Sequence, residues 1–259
     1  MAGAVEGALR GRRDAGGKAL VVYVTGGLGD DWTDTVRAVA DAGADVIEIG
    51  IPFSDPVMDG PTIQAANDRA LASGATPTSI LTQVSGLDAG VPLAVMTYYN
   101  IAFRAGLERF AAALVDAGVS GCILPDLPLE ETGPWVAAAD EAGIETILLA
   151  APTASDERLS RVCARSRGFV YGVGLLGVTG VRAELAASAS IIATRLKQLT
   201  DLPVLIGVGV GTPGQAVEAS AAGDGVVVGS AVVQAMLEDA GPAGVGDLVA
   251  QFRVALDAA

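Results

Sequence analysis

Short runs of valine, isoleucine and leucine recur along this chain, separated by alanine-rich stretches with helical spacing. The runs fall at residues 19–25, 45–50, 92–98, 120–124, 145–150, 168–172, 203–206 and 224–228. Runs of this kind suit strands covered on both faces. The stretches between them, such as Leu107 to Ala117 and Trp135 to Ala142, carry the apolar periodicity of helices. Eight such units in alternation predict a closed parallel (β/α)8 TIM barrel.

An internal echo supports the repeat. Asp41-Ala-Gly-Ala-Asp45, Asp116-Ala-Gly-Val-Ser120, Glu141-Ala-Gly-Ile-Glu145 and Ala221-Ala-Gly-Asp-Gly225 each end a helical stretch and open a strand. Glycine there is expected as the left-handed helix stop. Gly43, Gly118, Gly143 and Gly223 are spaced by about 25 residues or about three times that, the period of a βα unit. Outside the eight units, Met1 to Asp14 reads as a short surface helix capping the barrel bottom. Pro77 to Ser85 reads as an extra helix before the third strand, and Val245 to Leu256 as a helix that closes the fold. No linker or low-complexity segment divides the chain, so one catalytic barrel domain over 1–259 is expected.

Composition removes several classes of function. A net charge of −14 argues against a nucleic-acid partner, and no acidic block is long enough to read as more than a solvated surface. No apolar run reaches the length of a membrane span, and the N-terminus lacks a signal-peptide apolar block. Cys122 and Cys163 sit in apolar settings with no CxxC pair, which fits small core residues and a reducing cytoplasm. The chain has no histidine, so Ser-His-Asp triads, Cys-His pairs and imidazole zinc sites are excluded. Its only lysines, Lys18 and Lys197, stand away from the C-terminal strand ends, which speaks against a Schiff-base enzyme.

Barrel enzymes work at the C-terminal ends of their strands. Glu48 ends the second strand inside an apolar run, and the Pro/Gly-punctuated loop after it carries Asp55 and Asp59. A carboxylate is costly to bury unpaired, and its pKa rises toward the range of an acid/base catalyst. The loops after strands six, seven and eight are Gly177-Val-Thr-Gly180, Gly207-Val-Gly209-Val-Gly211-Thr-Pro-Gly and Gly229-Ser230. Thr212-Pro213-Gly-Gln215 reads as a helix N-cap with proline at the first position. Barrels commonly hold phosphate with loops after strands seven and eight and a helix N-terminus, using backbone amides alone. Glu48 taken singly also fits a buried structural acid, and Asp55 and Asp59 fit turn residues. Carboxylates sharing a barrel mouth with a phosphate site, without imidazole, point to proton transfer on a neutral organic substrate.

The run Glu48-Ile-Gly-Ile-Pro-Phe-Ser-Asp-Pro followed by Asp59-Gly-Pro-Thr-Ile-Gln64 closely resembles the signature of tryptophan synthase α subunits. Gly177-Val-Thr-Gly180 and Asp224-Gly-Val-Val-Val-Gly-Ser230 are similar to that family's later motifs. The resemblance runs in order over essentially the whole chain. It implies a lyase of tryptophan biosynthesis, cleaving indole-3-glycerol phosphate by a retro-aldol reaction to indole and glyceraldehyde 3-phosphate. Carried over residue by residue, Glu48 protonates indole C3 and then takes the proton of the glycerol hydroxyl. Asp59 stabilises the charge that develops at the indole nitrogen and takes its proton. Gly180, Gly209, Gly229 and Ser230 hold the phosphate, and Tyr171 and Thr179 line or close the site. The resemblance implies no metal and no cofactor in this subunit.

Indole needs an apolar slot, for which Tyr23, Met96, Leu124, Leu149 and Val208 fall near strand ends. The family pairs with a pyridoxal-phosphate β subunit, in an αββα heterotetramer, and Pro52, Phe53, Asp55 and Pro128 match loop positions that face it. Two departures stand out. Gly174 replaces the serine usual three residues before Gly-Val-Thr-Gly, and Thr25-Gly-Gly-Leu-Gly-Asp30 replaces a shorter turn ending in Asp-Pro. They leave room for a free-standing indole-3-glycerol phosphate lyase. A catalytically idle allosteric partner subunit is the third reading, and the presence of both Glu48 and Asp59 speaks against it.

Overall fold

A computed structural model describes residues 2–174, 182–207 and 209–259. Its strands are β1 (Ala19–Thr25), β2 (Val46–Gly50), β3 (Leu93–Met96), β4 (Val119–Ile123), β5 (Glu145–Ala150), β6 (Val170–Val173), β7 (Val204–Gly207) and β8 (Gly225–Val228). They pair in parallel in sequence order, and β8 returns to β1 to close the barrel. The predicted strand limits hold to within two residues. The helices are α1 (Ala4–Asp14), α2 (Trp32–Asp41), α3 (Pro61–Ala72), α4 (Pro77–Ser85), α5 (Tyr99–Ala105), α6 (Leu107–Asp116), α7 (Gly133–Ala142), α8 (Asp156–Arg165), α9 (Arg182–Lys197), α10 (Pro213–Ser220), α11 (Ser230–Leu237) and α12 (Gly241–Asp257). The α1, α4 and α12 helices are the three extra segments expected. The α5 helix, after β3, was not.

Two apolar layers follow from the strand period of two. Residues such as Leu20, Val22, Ile47, Ile49 and Val226 point outward and pack against the helices. The intervening positions point inward: Val21, Val46, Ala94, Ile123, Ile147, Phe169, Leu205 and Val227 form a separate inner cluster. Counting on by two from these residues predicts which side chains line the open end of the barrel. They are Tyr23, Glu48, Met96, Pro125, Leu149, Tyr171, Val173, Gly207, Gly209 and Gly229, and all ten line one cavity there.

The other end is sealed. Val5 and Leu9 of α1 are fully buried against the inner cluster. No side chain of its own caps α1; instead Glu145 accepts hydrogen bonds from the Val5 and Glu6 amides at 2.8 and 2.9 Å. Asp45 accepts from Arg12 at 2.8 Å, Arg253 at 3.3 Å and the Leu20 amide at 2.8 Å, tying both chain ends to the barrel floor. Of the four repeat glycines, Gly43, Gly118 and Gly143 do take positive φ as helix stops. Gly223 does not. Its hydrogen atoms face the Val204 carbonyl, which a Cβ would approach to 2.9 Å, so close packing and not handedness calls for glycine there.

Candidate active site

Glu48 stands in β2 beside Tyr23 of β1, its neighbour in the ladder. Only 1 % of it is exposed, yet neither carboxyl oxygen has a hydrogen-bond partner among the described residues. Burial, reinforced by the negative charge of Asp59, pushes its pKa from an ordinary 4.5 up to about 8. Glu48 is therefore a carboxylic acid at neutral pH, and it lines the cavity at the open end of the barrel.

Asp59 lies in the loop between β2 and α3 and is held differently. Asn67 of α3 donates to its carboxylate at 3.3 Å, and Gln64 donates to its backbone carbonyl at 2.7 Å. Burial raises its pKa, and hydrogen bonds from Tyr98 and Asn67 oppose that rise. The two carboxyls thus share a site in unlike settings, one buried without a hydrogen-bond partner among the described residues, the other held by Asn67. Such a pair is suited to divide acid and base roles.

The cavity they face has a volume of about 410 Å³ and mostly apolar walls. Two tyrosines lie across it, each made possible by a glycine on the next strand. A Cβ at Gly50 would collide with the Tyr23 hydroxyl, and one at Gly207 with the Tyr171 ring. Met96, Leu149, Val173 and Ile63 complete the apolar lining. The rim opposite is glycine-rich. Gly209 has φ +62, and Gly229 is the N-cap of α11 with no side chain capping the helix. Together with Ser230 they present an uncapped helix N-terminus to the cavity, a setting suited to an anion. In the loop after β7, by contrast, Gln215 accepts from the Gly211 and Thr212 amides at 2.8 and 3.1 Å. Those two amides are occupied by the α10 capping box, which leaves Gly209, Gly229 and Ser230 as the anion-suited rim among the described residues.

Of the sequence candidates, Glu48, Asp59, Tyr23, Met96, Leu149, Tyr171, Gly209, Gly229 and Ser230 are brought together around this cavity. Thr179, Gly180 and Val208 lie outside the described residues. Leu124 does not line the cavity. It points outward, as the period of two requires, into a neighbouring cleft of about 320 Å³, and Pro125 takes the inward place. Strand parity would have found Pro125. Tyr98 and Asn67 were missed as well; Tyr98 ends the predicted third strand, while nothing in the sequence marks Asn67. Of the loop residues, Pro52 is buried and Phe53 is partly covered, stacking on Tyr98 at 4.9 Å between ring centroids. Asp55 and Pro128 are exposed. Lys18 donates to the Gly223 carbonyl at 2.8 Å and Lys197 pairs with Asp224 at 2.9 Å, both at the sealed end. No lysine or arginine lines the cavity among the described residues.

Comparison with known proteins agrees with this geometry. A family model described as tryptophan synthase alpha chain matches residues 10–250. The tryptophan synthase alpha chain of Thermobifida fusca (strain YX) is 46 % identical over 229 residues, covering 86 % of this chain and 85 % of that one. That of Geobacter sulfurreducens is 44 % identical over 243 residues, 92 % of each chain. Among solved structures, Mycobacterium tuberculosis tryptophan synthase in space group F222 superposes with a TM-score of 0.92 at 36 % identity, covering 99 % of both chains. The tryptophan synthase α subunit of Legionella pneumophila str. Paris gives 0.88 at 31 % identity, covering 100 % of both. With the family model spanning most of its length and relatives this similar, the chain belongs to the tryptophan synthase alpha chain family.

Proposed function

We propose that this chain is a carbon–carbon lyase that cleaves indole-3-glycerol phosphate to indole and glyceraldehyde 3-phosphate. The observation that carries the reading is a buried, protonated Glu48 facing a donor-clamped Asp59 across an apolar cavity with an anion-suited rim. The phosphate sits at Gly209, Gly229 and Ser230, and the indole ring occupies the slot between Tyr23, Met96, Leu149 and Tyr171. Gly180, Val208 and Thr179 complete the site in this reading.

Glu48 gives its proton to indole C3, and the ring becomes a cation at nitrogen that Asp59 stabilises. The bond between C3 and the glycerol carbon then breaks. Its electron pair returns to the ring, and the hydroxyl proton of that carbon passes to the Glu48 carboxylate, leaving an aldehyde. The net change at Glu48 is zero. A carboxyl with a pKa near 8 still carries its proton at neutral pH, and the carboxylate left after C3 takes that proton is a strong enough base to accept the hydroxyl proton as the bond breaks. No amine lies within the described lining to form an imine, so protonation of the ring itself supplies the electron sink.

The same mouth is the face we assign to a β subunit, in an αββα assembly. Val57 is 80 % exposed and Met58 51 %, beside the exposed Asp55 and Pro128. Incubating the purified chain with indole-3-glycerol phosphate, alone and with a β subunit, tests both parts. Indole and glyceraldehyde 3-phosphate formed in equal amounts, faster with the β subunit, is the expected result. Brisk cleavage unaffected by a β subunit would favour a free-standing lyase. No indole under either condition would leave only the idle-partner reading.

A further inference from the structure

We propose that Tyr98 is a positioning residue for Asp59, its hydroxyl fastening the loop after β2 to the end of β3 and fixing where the carboxylate stands. The inference rests on the catalytic role read for Asp59 above.

Asp59 sits in irregular backbone between Gly50 and Pro61, where no ladder or helix holds it. Tyr98 is anchored on the neighbouring strand end. Ile51 donates to the Met96 carbonyl at 2.9 Å, Thr97 donates to the Ile123 carbonyl at 3.1 Å, and the Tyr99 amide donates to Asp126 at 2.8 Å. The Tyr98 side chain is buried, and its ring stacks on Phe53 at an interplanar angle of 23°. Its oxygen accepts from the Met58 amide at 2.9 Å. An oxygen that accepts there still has its own proton to donate, and the carboxylate of the next residue, Asp59, is the neighbouring group whose charge bears on it. One hydroxyl thus holds the residue that leads into Asp59, and with it the place where the Asp59 side chain leaves the backbone. Burial lifts the Tyr98 pKa to about 12, so the donor stays protonated over the working pH range. Tyr98 does not line the substrate cavity, which separates positioning from contact.

The test is Tyr98→Phe, which keeps the ring on Phe53 and removes only the oxygen. We expect kcat to fall about ten- to hundredfold while KM stays within about twofold, since the phosphate is held across the cavity. The acid limb of the kcat–pH profile moves to higher pH, because Asp59 loses a donor that favours its charged form. The Asp59 side-chain carboxyl carbon, followed by NMR, titrates at higher pH in the variant. Unchanged kcat and an unchanged Asp59 titration would overturn the inference. So would a lower kcat with an unmoved Asp59 titration, which would make Tyr98 a packing residue only. In the wild-type protein, the Tyr98 ring carbon that bears oxygen is expected to shift with the Asp59 midpoint. Its failure to do so overturns the inference without any variant. Absence of indole from the wild-type chain would remove the lyase reading, while both NMR titrations would still decide whether Tyr98 holds Asp59.

Discussion

Replacing Glu48 by glutamine removes the titrating group and keeps its size. The folded protein holds Glu48 at a pKa of about 8, against 4.5 for an ordinary glutamate. The sign follows from linkage: below pH 4.5 the acid is protonated folded or unfolded and costs nothing. As pH rises, the unfolded chain ionises first, so stability is lost through this window, and the loss levels off above pH 8. The lost stability is about 2 kcal/mol at pH 6 and about 5 kcal/mol at pH 9. Glu48→Gln escapes it. Its advantage over wild type therefore grows by about 2–3 kcal/mol between those pH values, roughly 5–10 °C in Tm for a chain of this size. Any constant difference in amide hydrogen bonding cancels, as do the other titrating groups. Urea unfolding of both proteins at pH 6 and pH 9 reads it directly. A stability difference that is the same at both pH values would show that Glu48 ionises in the ordinary range and stores no proton for the reaction.

The remaining predictions concern function and the sealed end. With Glu48 needed in its protonated form, kcat/KM falls above about pH 8, and a profile still rising at pH 9 would contradict that. Ser230→Asp sets a negative charge at the uncapped α11 N-terminus, the proposed seat of the substrate phosphate; KM is expected to rise more than tenfold with kcat little changed, measured by initial rates. Glu145→Ala removes the acceptor of the Val5 and Glu6 amides at the far end of the barrel. It is expected to cost about 2–4 kcal/mol in urea unfolding, while folded variant protein keeps wild-type kcat.

Much of this was legible in the sequence because a two-face-buried barrel writes its strands as plain apolar runs. A charged residue inside such a run, Glu48, stands out for the same reason. The period of two then specifies the lining: Leu124 is apolar but of outward parity, and it faces the neighbouring cleft. What the sequence does not carry is loop geometry. Tyr98 reaches Met58 across 40 residues of chain, and no local pattern encodes that contact. The Gln215 side chain occupies two amides that glycine content alone offered to a phosphate. Gly223 shares its neighbours with three helix stops, yet serves close packing against the Val204 carbonyl.

The proposed cleavage depends on Glu48 delivering its proton to the indole ring. Single-turnover indole release by Glu48→Gln, beside wild type at pH 7 and saturating substrate, measures that most directly. The predicted result is a loss of about hundredfold to ten-thousandfold with binding of glycerol phosphate retained. Release within tenfold of wild type would mean that another group supplies the proton.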